Sequence, residues 1–152
     1  MKFKSKQIRN EIDIEASPKL VWEMLVDVSH YKNWNPFLLR AQGRVRVGSY
    51  LELIMSPPGD SPRQKKVLVT SLKSYRELSW KGTIVHTVFF CGHNRFTLIP
   101  LSEHQTRLIQ EETFSGLLVP FFSTWLDRYL SAGFKKMLIA LKSTVEGQIH
   151  SR

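Results

Sequence analysis

The strongest constraint on the fold lies in the last third of the chain, a helical stripe running from about Phe121 to Val145. Phe122, Trp125, Leu126, Tyr129 and Leu130 begin it, and Phe134, Met137, Leu138, Leu141 and Val145 continue it at three- and four-residue steps. Asp127, Arg128, Lys135, Lys136 and Lys142 fall largely off that stripe. A helix of about 25 residues is ~38 Å long at the α-helical rise. It can cross a whole sheet, and its apolar stripe needs one to cover.

The sheet is written upstream. "IRNEIDIE", residues 8–15, alternates with the two-residue period of a half-buried strand. "ASPKLVWEMLVDV" then switches to helical spacing, with Ser17 as N-cap and Pro18 as first helical residue. Leu20, Val21, Met24, Leu25 and Val28 share its inner face. That helix ends near "SHYKNWNPF", residues 29–37, because the residue before Pro36 is pushed out of the helical region.

Short strand-like runs follow. "LLRAQGRVRVGS" turns or bulges at Gly43 and Gly48, and "YLELIM" puts Leu51, Leu53 and Met55 on one face. After the loop "SPPGDSPR" come "QKKVLVTSLKSY" and "RELSWKGTI", the latter with Leu78 and Trp80 on the same side. "VFFCGHNRFTLIPL" is read with a bulge at Gly92, and "QTRLIQEETF" follows the turn "SEHQ". Only turns separate these runs, which favours an antiparallel meander over parallel strands with crossover helices. The expected class is α+β: a curved antiparallel sheet of about seven strands wrapped around a long C-terminal helix, with two short helices after the first strand. Residues 1–152 are read as a single domain.

Strand parity then selects chemistry. If Phe96 and Leu98 point inward, so does Asn94. On the next strand Leu108, Gln110, Glu112 and Phe114 share a face. An inward glutamate is costly unless it is paired or hydrogen-bonded. Glu112 is either a polar anchor for a ligand together with Gln110 and Asn94, or through a raised pKa a general acid, or the holder of a structural hydrogen bond. In the second case its partner would be the opening of "TFSGLL" or an arginine near the rim of the hollow. Parity supplies no second acid or base there, which favours binding over catalysis.

Trp34, Phe37, Trp80, Phe96, Phe114, Trp125 and Tyr129 form either ordinary core or the lining of a cavity, together with Leu53, Met55 and Leu98. Segments 33–37 and 115–121 would make its mouth, shaped by Pro36 and Gly116.

Composition excludes several classes. Cys91 is the only cysteine, no apolar run approaches the ~20 residues of a membrane span, and the N-terminal stretch lacks a secretory apolar core, so a cytoplasmic protein is expected. His30, His86, His93, His104 and His150 show no metal-ligand spacing, and His93 has outward parity. With no P-loop, G-x-G-x-x-G or G-x-S-x-G motif either, no metal or cofactor is expected. The net charge of +9 is spread along the chain, densest at Arg63, Lys65 and Lys66, then Lys73 and Arg76, then Lys135 and Lys136. No nucleic-acid motif accompanies it. It reads as solubility, or as a basic surface docking on an anionic membrane or, less favoured without a motif, on nucleic acid.

Three stretches carry a resemblance. They are "SPKLVWEMLVDVSHYKNWNPF", the alternating Gly92, Asn94, Phe96, Leu98 and Pro100, and "EETFSGLLVPFF". Together they span residues 8 to about 145 and resemble the START-like (SRPBCC) helix-grip superfamily, in the bacterial branch labelled polyketide cyclase/dehydrase and lipid transport. The resemblance implies binding or transport of a hydrophobic small molecule, such as a lipid or polyketide, between sheet and terminal helix. An alternative it carries is a cyclase or dehydratase using Glu112. The family strand commonly has histidine where Asn94 stands, and an asparagine cannot shuttle a proton near neutral pH.

Overall fold

The computed structural model describes residues 5–84 and 89–150, and His86 lies outside them. Seven strands form one antiparallel sheet: β1 (Ser5–Ile14), β2 (Leu38–Gln42), β3 (Tyr50–Met55), β4 (Arg63–Lys73), β5 (Glu77–Ile84), β6 (Phe90–Ser102) and β7 (Gln105–Ser115). Their spatial order is β1-β7-β6-β5-β4-β3-β2, so the meander β2 to β7 is completed by the first strand beside the last. α1 (Pro18–Val26) and a 3₁₀ turn (Val28–Asn33) make the connection from β1 to β2. The chain ends in a helical run of α2 (Val119–Trp125), a π-helical turn (Leu126–Leu130) and α3 (Ser131–His150). This is a helix-grip arrangement, a curled half-barrel closed around one long helix.

Local chemistry explains the elements. Ser17 Oγ accepts from the Leu20 N–H at 3.3 Å and opens α1, with Pro18 in its first turn. Val21 and Leu25 are buried as the stripe requires, and Trp22 joins them by packing edge-on to Tyr75 in the β4–β5 turn. Gly43 and Gly48 have φ of +128° and +88°, the left-handed region expected of turn glycines. Gly92 makes no bulge. The β6–β7 register is unbroken from Cys91–Ser115 to Pro100–Thr106, and the irregularities fall instead at Leu38/Arg40, Val69/Ser71 and Pro100/Ser102.

The terminal helical run starts at Val119 rather than Phe121 and contains a break in α geometry that the stripe did not reveal. The Ser131 N–H reaches back five residues to the Leu126 carbonyl. A five-residue turn brings Trp125 and Leu130 to one side, whereas the α period of 3.6 would splay them apart. C-terminal to this turn, Phe134, Met137, Leu138, Leu141 and Val145 are all buried against the sheet. There the interface is solid: Phe134 packs edge-on to Phe37 at 4.8 Å and to Phe96 at 6.2 Å, and a side chain at Gly133 would overlap the Phe37 ring. Among the described residues no helix is long and apolar enough to cross a membrane.

Candidate functional site

Sheet and helical run part near α2 and the π turn. A cavity of about 420 Å³ opens there. Its apolar walls come from Met55 on β3, Phe90 on β6, Phe114 on β7, and Phe122, Trp125 and Leu130 on the helical run. Arg63, Gln64, Lys65, Lys66 and Thr83 complete the lining.

One polar pair marks its inner side. Lys65 Nζ stands 4.0 Å from Glu112 Oε2, the lysine partly exposed and the glutamate buried. Two glycines make room for the pair. Gly82 and Gly92 face each other across β5 and β6. A Cβ on Gly82 would lie 2.5 Å from Lys65 Cε, and one on Gly92 would lie 2.5 Å from Glu112 Oε2. Burial pushes the Glu112 carboxyl above its ordinary value, and the Lys65 charge opposes that rise. Among the described residues the carboxyl's one polar side-chain neighbour is the Lys65 ammonium.

Asn94 lies directly across the ladder from Glu112. Its Oδ1 accepts from Gln110 Nε2 at 2.8 Å, and Gln110 Oε1 accepts from Asn10 Nδ2 at 3.1 Å. Asn10 Nδ2 also reaches the Ser131 carbonyl at 3.3 Å, which ties this polar row to the start of α3. The Asn94 Nδ2 end is buried with no partner among the described residues.

The outer wall is held by Asp60. Trp125 Nε1 donates to Asp60 Oδ2 at 2.7 Å, and Arg63 donates to the same oxygen at 3.1 Å while lying over the Trp125 ring, 5.3 Å from its centroid. The Trp125 hydrogen bond, then those of the Ser61 amide and Arg63, hold the Asp60 carboxyl below its ordinary value. At the opposite lip Gly116, with φ +123°, sits against the Phe89 carbonyl, and the Leu118 N–H donates to that carbonyl at 2.9 Å. This clamp sets Phe90 in the wall, its ring 5.6 Å from both Phe114 and Phe122.

Of the residues expected to line a cavity, Met55, Phe114 and Trp125 do so. Glu112 meets the cavity through Lys65 and the neighbouring Phe114. Phe37, Leu53, Trp80, Phe96 and Leu98 point inward but are closed off in the packed core, as are Asn94 and Gln110 with their mutual hydrogen bond. Trp34 lies elsewhere, beside His30 and Thr144, and Tyr129 packs against Gly59. Segment 33–37 does not reach the cavity. Asn35 Oδ1 accepts from the Phe37 and Leu38 amides at 3.0 and 2.8 Å, and this turn drives Phe37 under Phe134 instead. Segment 115–121 connects the lining residues Phe114 and Phe122, but none of its own residues lines the cavity.

Lys65 corrects the expectation that no second titratable group shares the hollow. It also replaces the arginine foreseen as the structural partner of Glu112. The signal was present, since Lys65 has the parity of the buried Val67 and Val69. Arg63 and Lys66 looked like dispersed surface charge until β4 brought them to the rim. His93 faces outward as expected, its ring 3.0 Å from Thr70 Oγ1. Among the described residues no group of three or more His, Cys, Asp or Glu side chains converges to hold a metal.

Similarities to known proteins agree with this geometry. Solved structures of the same fold include a Thalictrum flavum norcoclaurine synthase point mutant in complex with a transition-state analogue, at 13% identity and TM-score 0.78 over 97% of this chain and 98% of that one. The Zhui aromatase/cyclase from Streptomyces sp. R1128 is 14% identical with TM-score 0.79, covering 96% of each chain. A START superfamily protein from Mycobacterium smegmatis is 20% identical with TM-score 0.72 over 93% of this chain and 98% of that one. At these identities the likeness establishes the fold alone. No curated protein matches the chain. The family model for polyketide cyclase / dehydrase and lipid transport matches residues 5–146, nearly the whole length, and the chain belongs to that family.

Proposed function

We propose that this protein binds a small, largely apolar molecule that carries one polar end. The observation behind this reading is Lys65, paired with the buried Glu112, on the wall of a cavity of about 420 Å³ whose apolar side is made by Met55, Phe90, Phe114, Phe122, Trp125 and Leu130. That volume falls within the range of small-molecule sites. Affinity would come chiefly from burying the apolar body, at about 25 cal/mol per Å². A hydroxyl or carbonyl at the polar end would take its hydrogen bonds from Lys65, with the buried Glu112 carboxyl behind it. The lone thiol, Cys91, is consistent with work in a reducing cytoplasm.

Native mass spectrometry of gently purified protein, with organic extraction of anything released, tests this reading. The expected result is an adduct of defined mass that Met55→Phe, which fills the cavity, abolishes. A bare protein mass that also fails to take up an apolar naphthalene fluorophore would overturn it.

A second reading follows from Lys65. A buried carboxyl with a raised pKa beside an ammonium is an acid–base pair, and such a pair could protonate the carbonyl of a polyketide-like substrate during cyclisation or dehydration. Glu112→Gln would then abolish turnover while leaving substrate binding within about threefold. Unchanged turnover in that variant would eliminate catalysis by Glu112.

A further inference from the structure

The lip of the cavity exposes more apolar surface than a solvent-facing edge needs. Phe121 is 81% exposed, Leu117 47%, Phe89 41% and Phe122 39%. These four are contiguous. The Leu118 amide donates to the Phe89 carbonyl, the Phe121 amide donates to the Leu118 carbonyl, and the Phe122 ring meets Phe90. Phe122 also lines the cavity, so the apolar lip and the opening are one surface. Scattered single hydrophobics require no explanation, but a cluster with a phenylalanine at its tip marks an interaction site.

The charge beside it selects the partner. Arg63, Lys65 and Lys66 line the same cavity. Arg63 is held by Asp60 and Lys65 faces Glu112, whereas Lys66, across the ladder from Glu52 but with no carboxylate within ion-pair distance among the described residues, extends its ammonium onto the outer face of the sheet, 4.7 Å over the exposed Tyr50 ring. The whole chain carries +9, so two copies brought together would repel, while an anionic bilayer would attract either one. We infer that the lip formed by Phe89, Leu117, Phe121 and Phe122 inserts into the surface of an anionic lipid bilayer, with the cavity opening turned toward the membrane. Apolar side chains would enter the headgroup boundary while the rim cations meet lipid phosphates, the combination by which peripheral proteins hold a membrane reversibly. The inference does not require the cavity to be filled.

Co-sedimentation with phosphatidylcholine vesicles containing about one third phosphatidylglycerol tests it. The intact protein should bind and be released as salt rises, because rim charges are screened. Phe121→Ser should weaken binding about tenfold or more, since it removes the most exposed insertion side chain. Lys66→Glu should weaken it about fivefold or more. Lys19→Glu provides the control, because α1 packs through Trp22 on the β4–β5 turn at the opposite end of the sheet. It should change binding less than about twofold. All three positions are exposed, and unchanged thermal unfolding would verify that the variants fold. No binding by the intact protein, a Phe121→Ser variant that binds as well, or a Lys19→Glu loss equal to that of Lys66→Glu would each overturn the inference. So would a dimer in sedimentation velocity that Phe121→Ser dissolves, because the lip would then be covered by a second copy.

Discussion

Glu112 Oε2 occupies the space in front of Gly92, 2.5 Å from where a β-carbon would stand. The Phe114 ring edge lies 3.0 Å from the same point. Gly92 therefore shapes the site by absence: its strand is regular, and what it provides is room for a carboxyl and an aromatic wall.

Substituting the two facing glycines should have unequal effects. Gly92→Ala drives a methyl into the buried Glu112 and Phe114 and should cost about 1–3 kcal/mol in urea unfolding, as overpacking does. Gly82→Ala meets mainly the flexible end of Lys65, which can swing aside, and should cost less than about 1 kcal/mol. Equal costs would show that Lys65 is as firmly held as Glu112.

Glu112 should make stability fall with pH. Its folded-state pKa is raised above the ordinary 4.5, mainly by burial, so the folded protein holds a proton that the unfolded chain releases first. The contribution is fully present below 4.5 and is lost as pH rises toward the folded value. Glu112→Gln should therefore gain on the native sequence as pH rises through that window. Lys65→Met should extend the window upward, because the charge that opposes the rise is gone. Parallel unfolding curves for Glu112→Gln and the native protein across this range would contradict it.

Asp60 titrates in the opposite sense. Trp125→Phe removes the largest cause of its lowered pKa and should move the Asp60 carboxyl back toward 3.8 in an NMR titration. In the native protein this stabilisation is present above 3.8 and is lost as pH falls through the lowered folded value, so Trp125→Phe should show a shallower acid loss. Loosening the outer wall should also raise the off-rate of an apolar probe from the cavity.

Tyr31→Phe separates structure from site in the segment 29–37. The Tyr31 hydroxyl donates to the Leu25 carbonyl in a fully buried position. Removing it leaves that carbonyl unpaired and should cost about 1–2 kcal/mol of stability. Probe affinity should be unchanged, since none of the residues from 29 to 37 lines the cavity.

Much of this was legible in the chain before folding. Periodicity of two against 3.6 separates sheet from helix because each buries one face in its own rhythm, and Ser17–Pro18 fixes a helix start through purely local hydrogen bonding. Parity alone turned Glu112, Gln110, Asn94 and Phe114 inward. The same rule applied to β4 turns Lys65 inward with Val67 and Val69, so this residue too is legible in the sequence.

What parity cannot do is divide an inward face into core and cavity. Phe37, Phe96 and Phe134 and the cavity-lining Phe90, Phe114 and Phe122 are the same residue type with the same inward sense. Which of them close on one another depends on where the terminal helix lies over the sheet. Gly133 lets that helix settle onto Phe37, whereas the π turn at Leu126–Leu130 places Leu130 in the cavity wall. The sequence by itself determined the elements, their order and the polar residues that face inward, since these follow from contacts along a strand or within a helical turn. The tertiary structure alone decided where the void opens, that Lys65 meets Glu112, and that Arg63 and Lys66 share a rim with Phe122, because each depends on distances between segments far apart in the chain.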